Sequence, residues 1–212
     1  MNQNEQYYYV ERKGFTTEAK AYLTPLRPYL LVISTLFLLA TAAGYVSAYF
    51  NPDIIDELMG QFEETYGWIA DESPIMIMLF IFANNTINSF IAMLLGTFFG
   101  IWPVIFILVN GYFIGVVVFS SVQEYGILVV LFALLPHGII ELPAIFISAS
   151  MGLRLGVLAF QKIFKIKEEE IRFKYELFSA IRFFVTVIVP LLFIAAIIET
   201  FITTTILYIL TS

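Results

Sequence analysis

Residues Ser73–Gln123 read SPIMIMLFIFANNTINSFIAMLLGTFFGIWPVIFILVNGYFIGVVVFSSVQ, a stretch without one Asp, Glu, Lys or Arg. No soluble core absorbs an uncharged run of this length, so it reads as bilayer-spanning sequence. Its apolar residues run continuously rather than in alternation. Helices are therefore expected, not the other spanning solution, a closed barrel. Gly96–Thr97–Phe98–Phe99–Gly100 is long enough only for a tight turn between two spans, and Pro103 suits the first turn of the second.

Outward from this stretch, the whole chain carries the same signature. Its 212 residues are 60% hydrophobic and 13% charged, with a mean hydropathy of +0.88. Soluble domains are about 25% charged. The expected fold is an all-α polytopic membrane bundle, a single transmembrane domain over residues 29–212 behind a cytosolic tail of residues 1–28. The tail is polar, carries both charge signs and lacks the apolar region and cleavage site of a signal peptide. Tyr7, Tyr8 and Tyr9 could form an interfacial cluster, but a disordered tail fits the composition better. With no cysteine, disulfides and thiolate metal sites are excluded.

Five spans are expected, at about 29–50, 74–95, 101–120, 125–153 and 183–203. Between the first two, Asn51–Glu72 holds seven acidic residues and no basic one. Asn51–Pro52–Asp53 reads as a helix start: a side-chain cap, proline in the first turn and an acid at the positive dipole end. Ile55, Leu58, Met59, Phe62, Tyr66 and Ile69 recur at helical spacing, so an amphipathic helix over about 52–69 is expected on the outer surface. A cation-gathering lid is the sharper alternative. Residues 154–182 form a charged cytosolic segment in which Glu168 and Arg172, and Glu170 and Lys174, are spaced as helical ion pairs. All 11 Lys and Arg lie before Pro28 or within 154–182. The positive-inside rule then sets the N-terminus in the cytosol and the C-terminus outside a plasma membrane.

The candidate site lies in the fourth span, at Leu135–Pro136–His137–Gly138–Ile139–Ile140–Glu141–Leu142–Pro143. It contains the chain's single histidine. A charged side chain at membrane depth costs roughly 2–4 kcal/mol on insertion scales, which favours a functional reason for its presence. His137 and Glu141 share a helix face. Pro136 and Pro143 each free a backbone carbonyl one turn earlier, so a helix broken around Pro136, Gly138 and Pro143 is expected. Counted at about 1.5 Å per residue, Asn84, Asn85 and Asn88 of the second span and Asn110 of the third fall at the same depth. Such groups are unsatisfied in lipid, so these faces are expected to turn toward one another. Simple interhelical packing bonds explain the asparagines about equally well. The pairs Gly96/Gly100, Gly111/Gly115 and Gly152/Gly156 read as close packing within the chain rather than as a dimer seam, although a homodimer is permitted. Glu199 is expected near the outer interface, solvated or paired.

Taken together, Asn84–Asn85–x–x–Asn88, Gly96 and Gly100, Asn110–Gly111–x–x–Gly115, Pro136–His137–Gly138–x–x–Glu141–x–x–Ala144 and Gly152–x–x–x–Gly156 resemble the stage II sporulation protein M family of integral membrane proteins, over about residues 80–156. The resemblance implies a membrane scaffold that, in spore formers, localises peptidoglycan-degrading partners. Relatives occur in organisms that make no spores, and nothing in the sequence identifies a sporulating host.

Three functions follow. The first is a scaffold or assembly partner for cell-envelope membrane proteins, as the resemblance implies. The second is a transporter or channel for a small solute, cation or proton, using Asn84, Asn85, Asn88, Asn110, His137 and Glu141, with Glu141 as proton or cation carrier. The third, a metal hydrolase on His137 and Glu141, ranks last because a catalytic zinc takes three protein ligands and only asparagine remains. No nucleophile suits covalent catalysis, so no enzyme is expected. Beyond the bilayer and a bound cation, neither cofactor nor nucleic acid is expected.

Overall fold

The computed structural model describes residues 15–164 and 170–211. The Tyr7–Tyr9 cluster and the Glu168–Arg172 and Glu170–Lys174 spacings fall on residues or side chains outside that description. The described residues are helical almost throughout and contain no strand. Helix α1 covers Phe15–Leu23, α2 Arg27–Phe50, α3 Asp53–Tyr66, α4 Pro74–Leu95, α5 Ile101–Tyr125 and α6 Ile127–Ile163. The last stretch comprises α7 (Glu170–Phe183), a π-helical segment Phe184–Ile188, α8 (Val189–Ile197), a second π-helical segment Ile198–Thr203, and α9 (Thr204–Thr211). Five helical stretches are long and apolar enough to cross a bilayer: Ala19–Phe50, Pro74–Leu95, Ile101–Tyr125, Ile127–Ile163 and Phe173–Leu210. This is the architecture of a membrane protein, and large apolar side chains such as Leu31, Leu39 and Ile139 face outward.

Packing in lipid gains little from the hydrophobic effect and depends on close backbone approach. The glycines supply it. A Cβ on Gly96 would sit on the Gly152 carbonyl, and one on Gly156 would meet the backbone of Gly100. Gly111 and Gly115 of α5 lie against Phe37 and Thr41 of α2, whose own Gly44 faces Tyr112. All three glycine pairs are thus spent inside one chain. Around these crossings Ile33, Phe37, Ile107 and Ala149 form one buried cluster. Met93, Met151, Leu155, Phe184 and Ile188 belong to another.

Helix α6 differs from the expected broken span. Pro136 and Pro143 lie inside one continuous helix, which runs past Leu153 to Ile163. The interruption at Pro136, Gly138 and Pro143 is not shown. Each proline deletes a single N–H donor, and the hydrogen bonds of the flanking turns carry the helix across the gap. At its far end, Arg154 of α6 bonds Glu176 of α7 through Nη2 and Oε2 at 2.8 Å.

Helix α3 packs on the bundle end opposite that ion pair. Ile54, Ile55 and Leu58 meet Ala48, Val116 and Phe119, and Phe62 stacks on Phe113 at 5.6 Å. Its acids Asp53, Asp56, Glu57, Glu63 and Glu64 stay exposed. The helix begins where expected, but the Asn51 side chain does not cap it; the Asn51 backbone carbonyl accepts from Ile54 N instead. A side-chain cap occurs at α4, where Ser73 Oγ accepts from Met76 N at 3.4 Å.

Candidate functional site

His137 and Glu141 sit one turn apart on α6, and the second π-helical segment brings Glu199 to them. One ligand atom from each of the three side chains lies within 4.8 Å of the others, and all three residues are half-buried. His137 and Glu141 lie 10 and 14 residues into the apolar helix Ile127–Ile163, and Glu199 lies 11 residues before the end of Phe173–Leu210.

The π-helical turn matters locally. Residues in π geometry bond five positions apart, and such turns recur at functional sites. Thr204 Oγ1 follows that spacing and donates to the Glu199 carbonyl at 3.2 Å. Thr203, only 5% exposed, holds its Oγ1 3.5 Å from His137 Nδ1. Glu141 Oε2 is buried with no hydrogen-bond partner. No Lys or Arg occurs between Arg27 and Arg154 or after Arg182. No Lys or Arg thus lies within twelve residues in sequence of Glu141 or Glu199, and His137 is the one side chain of the trio able to carry positive charge.

The asparagines do not join this group. Asn88 Nδ2 donates to Asn84 Oδ1 at 3.0 Å on the outward side of α4, and Asn88 is exposed. Asn110 Nδ2 donates to the Phe106 carbonyl of its own helix at 2.7 Å. Asn85 is half-buried. Among the described residues no hydrogen bond links any of them to His137 or Glu141. The Asn88 and Asn110 amides each find an acceptor within their own helix, so neither needs the other polar faces to be satisfied. The face of α4 that meets the last helix is aromatic: Phe82 packs on Phe193 at 5.2 Å and Phe90 on Phe184 at 5.1 Å.

The sequence reading set Glu199 near the outer interface, solvated or paired; the structure brings it, half-buried, to His137 and Glu141, within an apolar helix that runs from Phe173 to Leu210. The signal was available: Glu199 is the sole charged residue after Arg182. Thr203 left no comparable trace, since a lone threonine in an apolar helix is unremarkable.

Above the trio lies a cavity of about 360 Å³ between α5, α6 and α9. Ala133 and Leu134, one turn before His137, and Leu207, one turn after Thr203, form its near wall. Val117, Val118 and Tyr125 line it toward the helix ends. The trio has the chemistry to bind a cation or to hold and pass a proton.

Comparison with known proteins gives a family and one relative. An uncharacterized protein of Methanocaldococcus jannaschii is 30% identical over 139 residues, 62% of this chain and 61% of the relative. The match thus spans about three fifths of that relative's length. No solved structure matches. Residues 33–204, containing every group of the site, match the family described as stage II sporulation protein M, and the chain belongs to that family.

Proposed function

We propose that this protein is a cation- or proton-linked transporter of the plasma membrane, with its N-terminus in the cytosol and its C-terminus outside. The observation that carries the reading is the meeting of His137, Glu141 and Glu199 from two different helices, within 4.8 Å. A dry packing seam has no use for two carboxyls, since neutral amides supply interhelical bonds at less cost. A proton or a metal cation neutralises the group, and its exchange through the neighbouring cavity is a transport step.

Reconstituted liposomes test this. The wild-type chain is expected to support proton- or cation-linked flux, and Glu141→Gln and Glu199→Gln to reduce it to the protein-free level. Unchanged flux in both variants removes the transport role.

The scaffold reading rests on family membership. It assigns partner binding to cell-envelope membrane proteins and predicts that both variants retain partner pulldown. A homodimer belongs to this reading and would use a face other than the glycine crossings, which are filled. The metal-hydrolase reading gains a third ligand in Glu199. Yet all three titratable groups of the cluster are then ligands, and none is left as general base.

A further inference from the structure

We infer that His137, Glu141 and Glu199 form a three-ligand site for a divalent first-row transition cation, with Thr203 positioning the imidazole. The inference deepens the reading of this cluster as a cation site, by naming the ion class, and rests on it.

Distance is the first argument. An ion with bonds of about 2.1 Å holds tetrahedral ligands about 3.4 Å apart. The three donors already lie within 4.8 Å, so side-chain rotation by about an ångström closes the site without moving a helix. Two donors come from one turn of α6, and the third comes from the π-helical segment opposite it.

Donor chemistry is the second. Calcium takes six to eight oxygen ligands at about 2.3–2.6 Å, and magnesium keeps several waters in an octahedron. One imidazole with two carboxylates, and no sulfur anywhere in the chain near them beyond methionine, suits zinc, iron(II) or manganese.

Charge is the third. Two carboxylates and a neutral imidazole sum to the charge that one divalent ion cancels. Glu141 Oε2, buried and without a partner, then acquires one.

The surroundings fit. When Nδ1 carries the ring proton and donates to Thr203 Oγ1, Nε2 is free to ligate; such outer partners orient metal-bound histidines. Three protein ligands leave an open position, as exchangeable sites do and closed structural sites do not. The apolar cavity one turn away gives the ion's fourth ligand room to leave.

The test uses the full chain in lipid nanodiscs, with Zn²⁺, Mn²⁺ and Mg²⁺ as probes, in equilibrium dialysis with elemental analysis. One saturable zinc per chain is expected, held at least about tenfold more tightly than magnesium. Glu141→Gln and Glu199→Gln should each weaken zinc about 10- to 100-fold, and Thr203→Val about tenfold. Glu63→Gln with Glu64→Gln on α3 should change nothing. Zinc should raise the melting temperature of the wild-type chain and not of Glu199→Gln, a readout independent of how well any one variant folds. Absence of saturable zinc on the wild-type chain, or undiminished affinity in both carboxyl variants, overturns the inference. Proton flux in liposomes without zinc binding also overturns it, while leaving the transport reading standing. Zinc binding without flux upholds the metal site and retires transport.

Discussion

Arg154 and Glu176 meet with side chains only 11% and 8% exposed, at the end of α6 remote from the candidate site. Taking two charges out of water is costly, and their attraction offsets this only while both are present. Arg154→Met is therefore expected to cost about 3–5 kcal/mol, read as a lowered melting temperature in detergent. The double variant with Glu176→Met should recover most of the loss; a double variant as unstable as the single one would show that the pair's packing, not its charge, holds α6 to α7. Individual residues were legible in sequence where their cost is intrinsic. His137 and Glu141 stood out because ionisable groups are expensive in an apolar run wherever they point. The asparagines were less legible because an amide has a cheap local answer: Asn88 bonds Asn84, and Asn110 bonds its own backbone. Glu199 obeyed the same cost rule as Glu141, but it lies on a different helix, and spacing along the sequence does not show which helices meet.

Helices were legible in number and kind, since uninterrupted apolar length decides them. Their continuity was not. Two prolines predicted a break in α6, yet the helix continues, because losing one donor per proline leaves most of its hydrogen bonds in place. The same element supports a paired prediction. Gly96→Val drives a side chain into the Gly152 backbone and should destabilise by about 1–3 kcal/mol or more. Gly138→Ala meets nothing closer than a Leu142 methyl at 4.0 Å, and alanine outranks glycine in helices by about 1 kcal/mol. It should leave the melting temperature unchanged or raise it. A loss on Gly138→Ala comparable to Gly96→Val would mean that the turn between the prolines needs glycine for a bend.

At the scale of the molecule, the proposed orientation rests on where the basic residues lie in the sequence, and it can be checked directly. The chain has no cysteine, so a single introduced thiol reports its side unambiguously. Gly60→Cys on α3, where nothing lies within 4 Å of the added atom, should react with an impermeant maleimide from outside intact cells. Lys162→Cys at the end of α6 should react only after permeabilisation. The reverse pattern would invert the bundle and turn the cavity toward the cytosol. The last helix holds a further consequence. A π turn is an inserted residue, and it advances everything beyond it by about 100° around the axis relative to a regular helix. Removing Ile198 would let Glu199–Thr203 close to ordinary α geometry, with the helix on either side kept in place. Glu199 would take the position of the deleted residue and turn away from His137, while Thr203 at the end of the turn would stay. A one-residue deletion is thus expected to take the second carboxyl out of the trio while preserving every helix, so relatives lacking that residue would share the scaffold and not the chemistry.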